Sequence, residues 1–246
     1  MQSIVCNLKK YAFVLLVALL PASQAHAQTA PRLPDGEETS ASGYSAWLID
    51  PTLRYDHGVL GDAIEAGGFS VRTPGGRVLS YRLGKDAVFE DRRVRLADIN
   101  GDGRPEAIVI KSYLRKGAAV AIFSIGPRGI TPLVEGPAFG RSHRWLNIIG
   151  VADFNGDGRM DIAYCQTPHL SGVVRVFTFS GRALKEIGSR SGYTNHAIGS
   201  RDLDEARIVR RPNAPAEIVI PVIGRREIAV LGFRNGRLVE MSRQPK

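Results

Sequence analysis

Short runs of apolar residues, many of them alternating with polar residues, cover most of the chain beyond residue 44. The runs are rich in β-branched and aromatic residues, which favour strands, and none keeps the spacing of an amphipathic helix. Turn-forming residues separate the runs at positions 74–76, 126–127, 180–181 and 235–236. The pattern therefore predicts an all-β protein.

Two nearly identical polar loops interrupt this pattern: ADINGDGRPE at residues 97–106 and ADFNGDGRMD at residues 152–161. Counting from the first aspartate, each loop has an oxygen-bearing side chain at its first, third, fifth and ninth positions. The arginine at the seventh position can offer only its main-chain carbonyl. Because calcium takes about six to eight oxygen ligands, we predict calcium bound by Asp98, Asn100, Asp102, Arg104 and Glu106 in one loop, and by Asp153, Asn155, Asp157, Arg159 and Asp161 in the other.

The loops admit two other interpretations. An EF-hand closes its loop with a glutamate at the twelfth position, but that position holds Val109 or Tyr164. The segments that follow the loops are also strand-like, not helical. A polar turn without metal is the remaining alternative. Two copies with four oxygen side chains each favour calcium, in a structural role.

In their context, LADINGDGRPEAIVI and GVADFNGDGRMDIAY, the loops resemble the FG-GAP/VCBS repeats of β-propeller proteins, which include the head of integrin α-chains. The resemblance is carried by residues 98–106 and 153–161 and is weaker elsewhere. It implies that each loop binds calcium between the first two strands of a propeller blade. It implies a fold unit and a metal, but no particular activity.

Counting outward from the two loops predicts four repeating units. In the fourth unit, Asp202 and Asp204 take the first and third positions of a degenerate loop that Glu217 closes, and in the first unit Asp62 heads another. The strands predicted to enter these degenerate loops are residues 196–202 and 57–62. With four strands in each unit, the predicted fold is a β-propeller of about four blades. A fifth blade built around residues 45–49 is an alternative, as is a β-sandwich or jelly roll.

The first residues have the pattern of a bacterial export signal. Lys9 and Lys10 precede an apolar run at residues 11–20, and AHA at residues 25–27 is a typical cleavage site. The run is shorter than the roughly 20 residues of a transmembrane helix. We therefore predict a signal peptide at 1–27, a flexible leader at 28–43 and the propeller domain at 44–246. The expected location is periplasmic or secreted, with no transmembrane segment in the mature chain.

The chain is basic, with a formal net charge of +9 at pH 7. Its arginine pairs are dispersed, so a solvated cationic surface is the simplest interpretation. Contact with a protein or with an anionic glycan or lipid surface is the alternative. Export argues against nucleic acid as a partner, and we expect a monomer. Cys165, the only cysteine beyond the predicted signal, lies in an apolar strand and is expected to be a packing residue.

A second candidate site comes from histidines and arginines that precede the loops. His57 and His196 lie five and six residues before Asp62 and Asp202. Because the innermost strands of a propeller line its channel, His57, Arg93, Arg144 and His196 are predicted to meet at one mouth of that channel and bind an anionic small molecule or glycan end. The alternative is an ordinary polar lining.

The sequence contains no motif that names a reaction: G-x-S-x-G, H-E-x-x-H, C-x-x-C and the P-loop are all missing. The predicted function is therefore a calcium-binding module for binding or interaction, which is favoured over an enzyme. The alternative is a propeller-type hydrolase or lyase that acts on an acidic carbohydrate at the central channel.

Overall fold

A computed structural model describes residues 30–246, so the predicted signal peptide lies outside the described residues. The described chain forms seventeen strands and no helix, which confirms the all-β prediction. Nothing within this range is a helix long and apolar enough to span a membrane.

The strands form four successive antiparallel units of four strands each, with one additional short strand. The first unit contains β1 (Thr39–Ala41), β2 (Tyr44–Thr52), β3 (Glu65–Arg72) and β4 (Val78–Arg82), and the short strand β5 (Ala87–Phe89) follows it. The second contains β6 (Arg95–Ala97), β7 (Glu106–Tyr113), β8 (Gly117–Gly126) and β9 (Gly129–Glu135). The third contains β10 (Leu146–Ala152), β11 (Asp161–Gln166), β12 (Val173–Ser180) and β13 (Ala183–Ser191). The fourth contains β14 (Arg207–Val209), β15 (Glu217–Pro221), β16 (Glu227–Arg234) and β17 (Arg237–Pro245).

The first two units are joined through β5. This strand pairs with β7 along its length and with β3 through Phe89 and Ala66, so the two units form one nine-stranded sheet. The third and fourth units are separate four-stranded sheets.

Three hydrophobic clusters hold consecutive units together. Phe69 and Phe123 belong to the cluster between the first and second units, and Ile108 and Ile148 to the one between the second and third. The cluster between the third and fourth units includes Ile218. Fully burying an aliphatic or aromatic side chain of this size stabilises a fold by about 1.5–3 kcal/mol. The units therefore pack face to face, each against the next along the chain.

The first and fourth units meet through loops. Within residues 30–246 no strand of the fourth unit pairs with a strand of the first, so a closed ring of four blades is not established by strand pairing. In the segment before β14, the Gly199 amide donates to the Val59 carbonyl at 2.9 Å, and the Arg201 guanidinium bonds Asp62 at 3.1 Å.

Two predicted strands are wrong. Residues 57–62 and 196–202 are turns and bends in the structure, and residues 45–49 lie inside β2, not in a fifth blade. Val59 and Leu60 are apolar because they project from a loop into the cluster between the second and third units. They are buried by packing between units, and in the sequence such apolar residues look the same as those of a strand.

The segment expected to be a flexible leader packs onto the domain where the structure describes it. Leu33 is buried at 4% exposure, and its amide donates to the Leu48 carbonyl at 3.0 Å. Thr39–Ala41 then forms β1 and pairs with β2. Main-chain pairing and one buried leucine therefore anchor a segment whose composition is mostly polar.

Candidate functional site

The first predicted calcium loop connects β6 to β7. Ala97 and Glu106 face each other where the two strands meet the loop. Asp98 accepts hydrogen bonds from the amides of Gly101 at 2.7 Å and Gly103 at 2.8 Å. Both glycines have φ near 80°, a conformation that glycine adopts without steric cost. The loop is therefore wound around the carboxylate of its first aspartate.

The second predicted loop, between β10 and β11, has the same geometry. Asp153 accepts from the amides of Gly156 at 2.6 Å and Gly158 at 2.8 Å, and both glycines again have positive φ. The two loops lie side by side across a groove of about 470 Å³. The repeated sequence thus produces the same structure twice.

The other loop side chains also bond within their own loops. Asn100 and Asn155 accept the amide of the aspartate two residues later, at 2.8 and 2.9 Å. That aspartate pairs with the following arginine: Asp157 with Arg159 at 2.8 Å, and Asp102 with its counterpart in the first loop at 3.0 Å. In the second loop this arginine holds the pKa of Asp157 down at about 2.

The closing acids, Glu106 and Asp161, are buried. Burial raises the pKa of both, and the other loop carboxylates raise it further. Glu106 bonds the Asn100 side chain at 2.9 Å, whereas Asp161 Oδ1 has no hydrogen-bond partner. Thr178 faces Asp161 on β12, and its hydroxyl lowers the pKa of Asp161, which partly offsets the effect of burial. An unpaired buried carboxylate oxygen is costly unless another group compensates it.

The donor set fits a hard cation by its chemistry, since each loop offers carboxylate, amide and carbonyl oxygens. Asp161 Oδ1 is the atom with most to gain from a cation. The side chains are nevertheless turned toward the loop amides, and no three acidic, histidine or cysteine side chains in residues 30–246 are positioned as a metal centre. A cation would therefore have to draw these oxygens away from the amides that they now accept.

The degenerate loops differ from the prediction. The loop between the first two strands of the fourth unit is residues 210–216, and Glu217 does close it, opposite Val209. Arg210, not Asp202, follows β14, and the Arg211 guanidinium pairs with Glu217. A fixed positive charge thus stands beside the closing acid of this loop.

The predicted acids of the degenerate loops lie elsewhere. Asp204 pairs with Arg93, and the Asp202 carboxylate accepts the Asp204 amide at 2.8 Å. Asp62 lies between the second and third strands of its unit, where its carboxylate bonds the Ile64 amide at 2.8 Å. None of these three acids is in a hairpin between the first two strands of a unit.

Four of the five histidines in the chain gather around Trp145. His57 and His143 have ring centroids 5.1 Å apart, as do His169 and His196, and Trp145 is 4.8 Å from His196 and 6.0 Å from His169. His57 and His169 lie in connections between second and third strands. His143 and His196 lie in connections that lead to the next unit.

This cluster lies at the opposite end of the strands from the two loops predicted to bind calcium. β10 has seven residues, with Trp145 immediately before it and Asp153 immediately after it. At about 3.3 Å per residue, the two regions are separated by roughly 25 Å. Two neighbouring pockets open here, of about 120 and 390 Å³, and both are lined by His169, Leu170 and Ile198. We call them together the histidine pocket.

His57 is held by a buried carboxylate. Its Nδ1 lies 2.5 Å from Glu90 Oε1, and Ser112 donates to the other carboxylate oxygen. Trp145 Nε1 donates to the Glu90 carbonyl at 3.0 Å. Because a carboxylate can only accept, Nδ1 of His57 carries the hydrogen, and Nε2 is the nitrogen left for a ligand.

His169 and His196 form a second oriented pair, with 2.9 Å between His169 Nε2 and His196 Nδ1. His196 Nε2 lies 2.9 Å from the Ser200 carbonyl, which can only accept, so this nitrogen carries a hydrogen. Burial lowers the pKa of His169 to about 4 and also lowers that of His196. Both rings are therefore neutral at pH 7, and His169 Nε2 donates to His196 Nδ1.

The structure brings together three of the four residues predicted for the channel site. His57 and Arg144 line the smaller pocket, and His196 lines the larger one. Among the described residues, the only hydrogen bond of Arg144 is through its main-chain carbonyl, which accepts the Ala118 amide at 2.8 Å, so its guanidinium is unpaired. Arg93 is not part of the pocket, because it pairs with Asp204 and Glu37.

His143, His169 and Trp145 were missed by the sequence argument. They lie in connections between strands, and their contacts cross from one unit to the next. One signal was available: all four histidines of the domain lie in connections at the same end of its strands.

One family model matches part of the chain. Residues 98–164 match the model described as the FG-GAP-like repeat, from the first aspartate of one acidic loop to β11, just after the second loop. No curated protein matches the chain. The resemblance predicted from the two loops is therefore confirmed over this range, where residues 98–164 are similar to the FG-GAP-like repeat.

Proposed function

We propose that this protein is an exported β-propeller-like module that binds calcium at residues 98–106 and 153–161 and a ligand at the histidine pocket. The observation that carries the calcium proposal is the duplicated loop, with the same hydrogen bonds at both copies and a buried acid at the end of each. A turn that needed only its glycines would not require four oxygen side chains at matching positions in two places.

The proposed role of calcium is structural. The cation would be held by the acid and amide side chains of each loop and by the carbonyls of Arg104 and Arg159. It would neutralise clustered carboxylates and compensate the unpaired oxygen of Asp161. The fourth unit supports this role by contrast, since Arg211 supplies the positive charge beside its closing acid.

A closed propeller is the arrangement that we propose for the four units. The units have four antiparallel strands each and pack face to face in chain order. The segment before β14 brings the fourth unit back to the first. Export is proposed from the signal-like residues 1–27, and the dispersed arginines would suit a protein partner or an anionic surface in that compartment.

Calcium titration tests the proposal. At calcium about 100-fold above Kd, each site would add about 2.7 kcal/mol to the free energy of unfolding. The melting temperature should therefore fall in EGTA and recover with calcium but not with equimolar magnesium, which prefers a tight octahedral site. Unchanged melting in EGTA, together with no bound metal by native mass spectrometry, would refute calcium binding.

Two aspartates provide matched variants for this titration. Asp153→Ala removes the carboxylate around which a loop is wound, and it should abolish one calcium equivalent. Asp202→Ala removes an acid outside the two loops and should leave both equivalents in place. Equal loss of calcium in the two variants would contradict the assignment of the sites.

One observation favours the enzyme alternative, a hydrolase or lyase acting on an acidic carbohydrate. His57 is oriented by buried Glu90 and lines a pocket, as a general base requires. We nevertheless propose the binding module, because the sequence carries no motif that names a reaction.

A further inference from the structure

We propose that the histidine pocket binds a small carboxylic acid that carries an apolar or aromatic group. The inference rests on the ligand-binding part of the proposed function and is independent of calcium, because the calcium loops lie at the other end of the strands. It names a class of ligand for a site whose residues come from different units.

The carboxylate preference comes from the charged groups around the smaller pocket. Arg144 lines it with a guanidinium that has no protein partner among the described residues. A guanidinium can place two parallel N–H donors on the two oxygens of one carboxylate. His57, held through Nδ1 by Glu90, forms the neighbouring wall of the pocket.

The remaining polar and charged side chains near the pocket are already engaged with protein partners. Arg225 on the far wall pairs with Glu205. His143 Nε2 lies 3.3 Å from Asp56. His169 and His196 are engaged with each other. A dianion such as phosphate would therefore find too few free donors, whereas a monoanionic carboxylate would be matched.

The apolar preference comes from the rim of the pocket. Leu170, Ile198 and Ile223 are 57%, 74% and 46% exposed, and they make up half of the large exposed hydrophobic residues of the described chain. All three line the pocket. A ligand that covers them removes apolar surface from water. A sugar would gain little here, because Trp145 is 2% exposed and is already stacked on His169.

The test follows the fluorescence of Trp145 during titration with 4-phenylbutyrate. The chain has two tryptophans, so a Trp47→Phe background reports on Trp145 alone. We expect saturable binding about tenfold tighter than that of 4-phenylbutyramide or acetate, the loss expected when a charge-assisted bond or the apolar contact is removed. Calorimetry on the unaltered protein repeats the comparison without relying on the Trp47 variant.

Two variants locate the site. Arg144→Gln should weaken 4-phenylbutyrate about tenfold, whereas Arg141→Gln, a change in the neighbouring exposed arginine, should not alter the affinity. No saturable binding, equal binding of the amide, or equal binding of acetate or inorganic phosphate would each overturn the proposal. If calcium still raises the melting temperature of the same samples, only this inference fails and the calcium proposal stands.

Discussion

Glu65 opens β3 with its side chain buried at 1% exposure and with no hydrogen-bond partner for Oε2. Burial raises its pKa to about 9, and the negative charges of Glu90, Asp62, Asp35 and Asp91 add to the shift. By contrast, Glu90 is equally buried but is met by His57 and Ser112. The environment of each glutamate, and not its residue type, decides whether its buried oxygens have hydrogen-bond partners.

This environment predicts a pH dependence for Glu65. Its folded pKa lies above the unfolded value of about 4.3. Between these values the folded protein holds a proton that the unfolded chain has lost, so the contribution of Glu65 to stability falls as pH rises. Glu65→Gln, which is neutral at every pH, should gain stability relative to the original protein between about pH 5 and pH 8, by up to about 1.4 kcal/mol per pH unit.

Urea unfolding of both proteins across that range measures the effect. Asp86→Asn is a suitable control because it changes an exposed acid outside this buried cluster. A constant difference in stability between Glu65→Gln and the original protein at every pH would show that Glu65 is ionised in the folded state.

At the scale of elements, three hairpins that each close on an acid differ in the charged side chains of their loops. Strand pairing ends at Ala97 and Glu106 in the second unit, at Ala152 and Asp161 in the third and at Val209 and Glu217 in the fourth. An acid follows the loop each time. In the second and third units the loop itself carries further acids, whereas the loop of the fourth unit carries Arg211 beside its closing acid. The closing acid is thus kept in all three hairpins, although the loop of the fourth unit has seven residues and the other two have eight, while the source of compensating charge changes.

The loop between β11 and β12 depends on a close approach that only glycine permits. Gly172 has φ of 51°, and a Cβ built there would lie 1.7 Å from the Tyr193 carbonyl oxygen. The same carbonyl belongs to the segment that leads to His196. This approach places His169 against His196, so one glycine helps to form the histidine pocket.

Gly172→Ala should therefore destabilise the protein by more than Gly181→Ala. Gly181 also has positive φ, but nothing lies within 4 Å of its Cβ position, so its substitution costs only backbone strain of about 1–2 kcal/mol. Thermal melts of the two variants measure the difference, and histidine NMR signals report displacement of His169 and His196. Equal losses of melting temperature would show that the backbone around Gly172 can move away from the Tyr193 carbonyl without loss of stability.

For the whole molecule, segments that connect the strands contribute buried residues to the hydrophobic clusters between units. The segment that precedes β2 contributes Leu33 to the cluster between the first and second units. Val59, Leu60 and Leu203 reach from connections into the cluster between the second and third. Long connections therefore act as parts of the core.

Leu33→Ala tests whether residues 30–43 belong to the folded domain. Removing a buried leucine side chain typically costs about 2–5 kcal/mol, so the free energy of unfolding in urea should fall by that order. Leu53→Ala is the matched control, because Leu53 is 73% exposed and its loss should be near zero. Equal stability of the two variants would show that residues 30–43 are a flexible leader, as their composition suggests.

Much of the structure followed from local sequence. The two acidic loops, their glycines and the strands on either side were predictable because each depends on residues within about ten positions of one another. The strands of the second and third units were predictable for the same reason. Glu217 was also matched correctly, because it opens a strand after a loop as Glu106 and Asp161 do.

The errors came from the first and fourth units. Asp62 and Asp202 resemble loop aspartates in spacing, yet they lie in connections at the other end of the strands. Apolar residues such as Val59 suggested a strand where a loop inserts into the core. Local pattern cannot separate these cases, because burial between units and burial within a strand select the same residue types.

The sequence by itself determined the all-β class, the repeated unit and the chemistry of the two acidic loops, since alternation, turn residues and ligand spacing are short-range properties. Only the tertiary structure decided that His57, His143, His169 and His196 meet around Trp145, and that Arg93 does not join them. Their contacts depend on how the units turn relative to one another. That arrangement is set by packing between sheets, which no single stretch of the chain encodes.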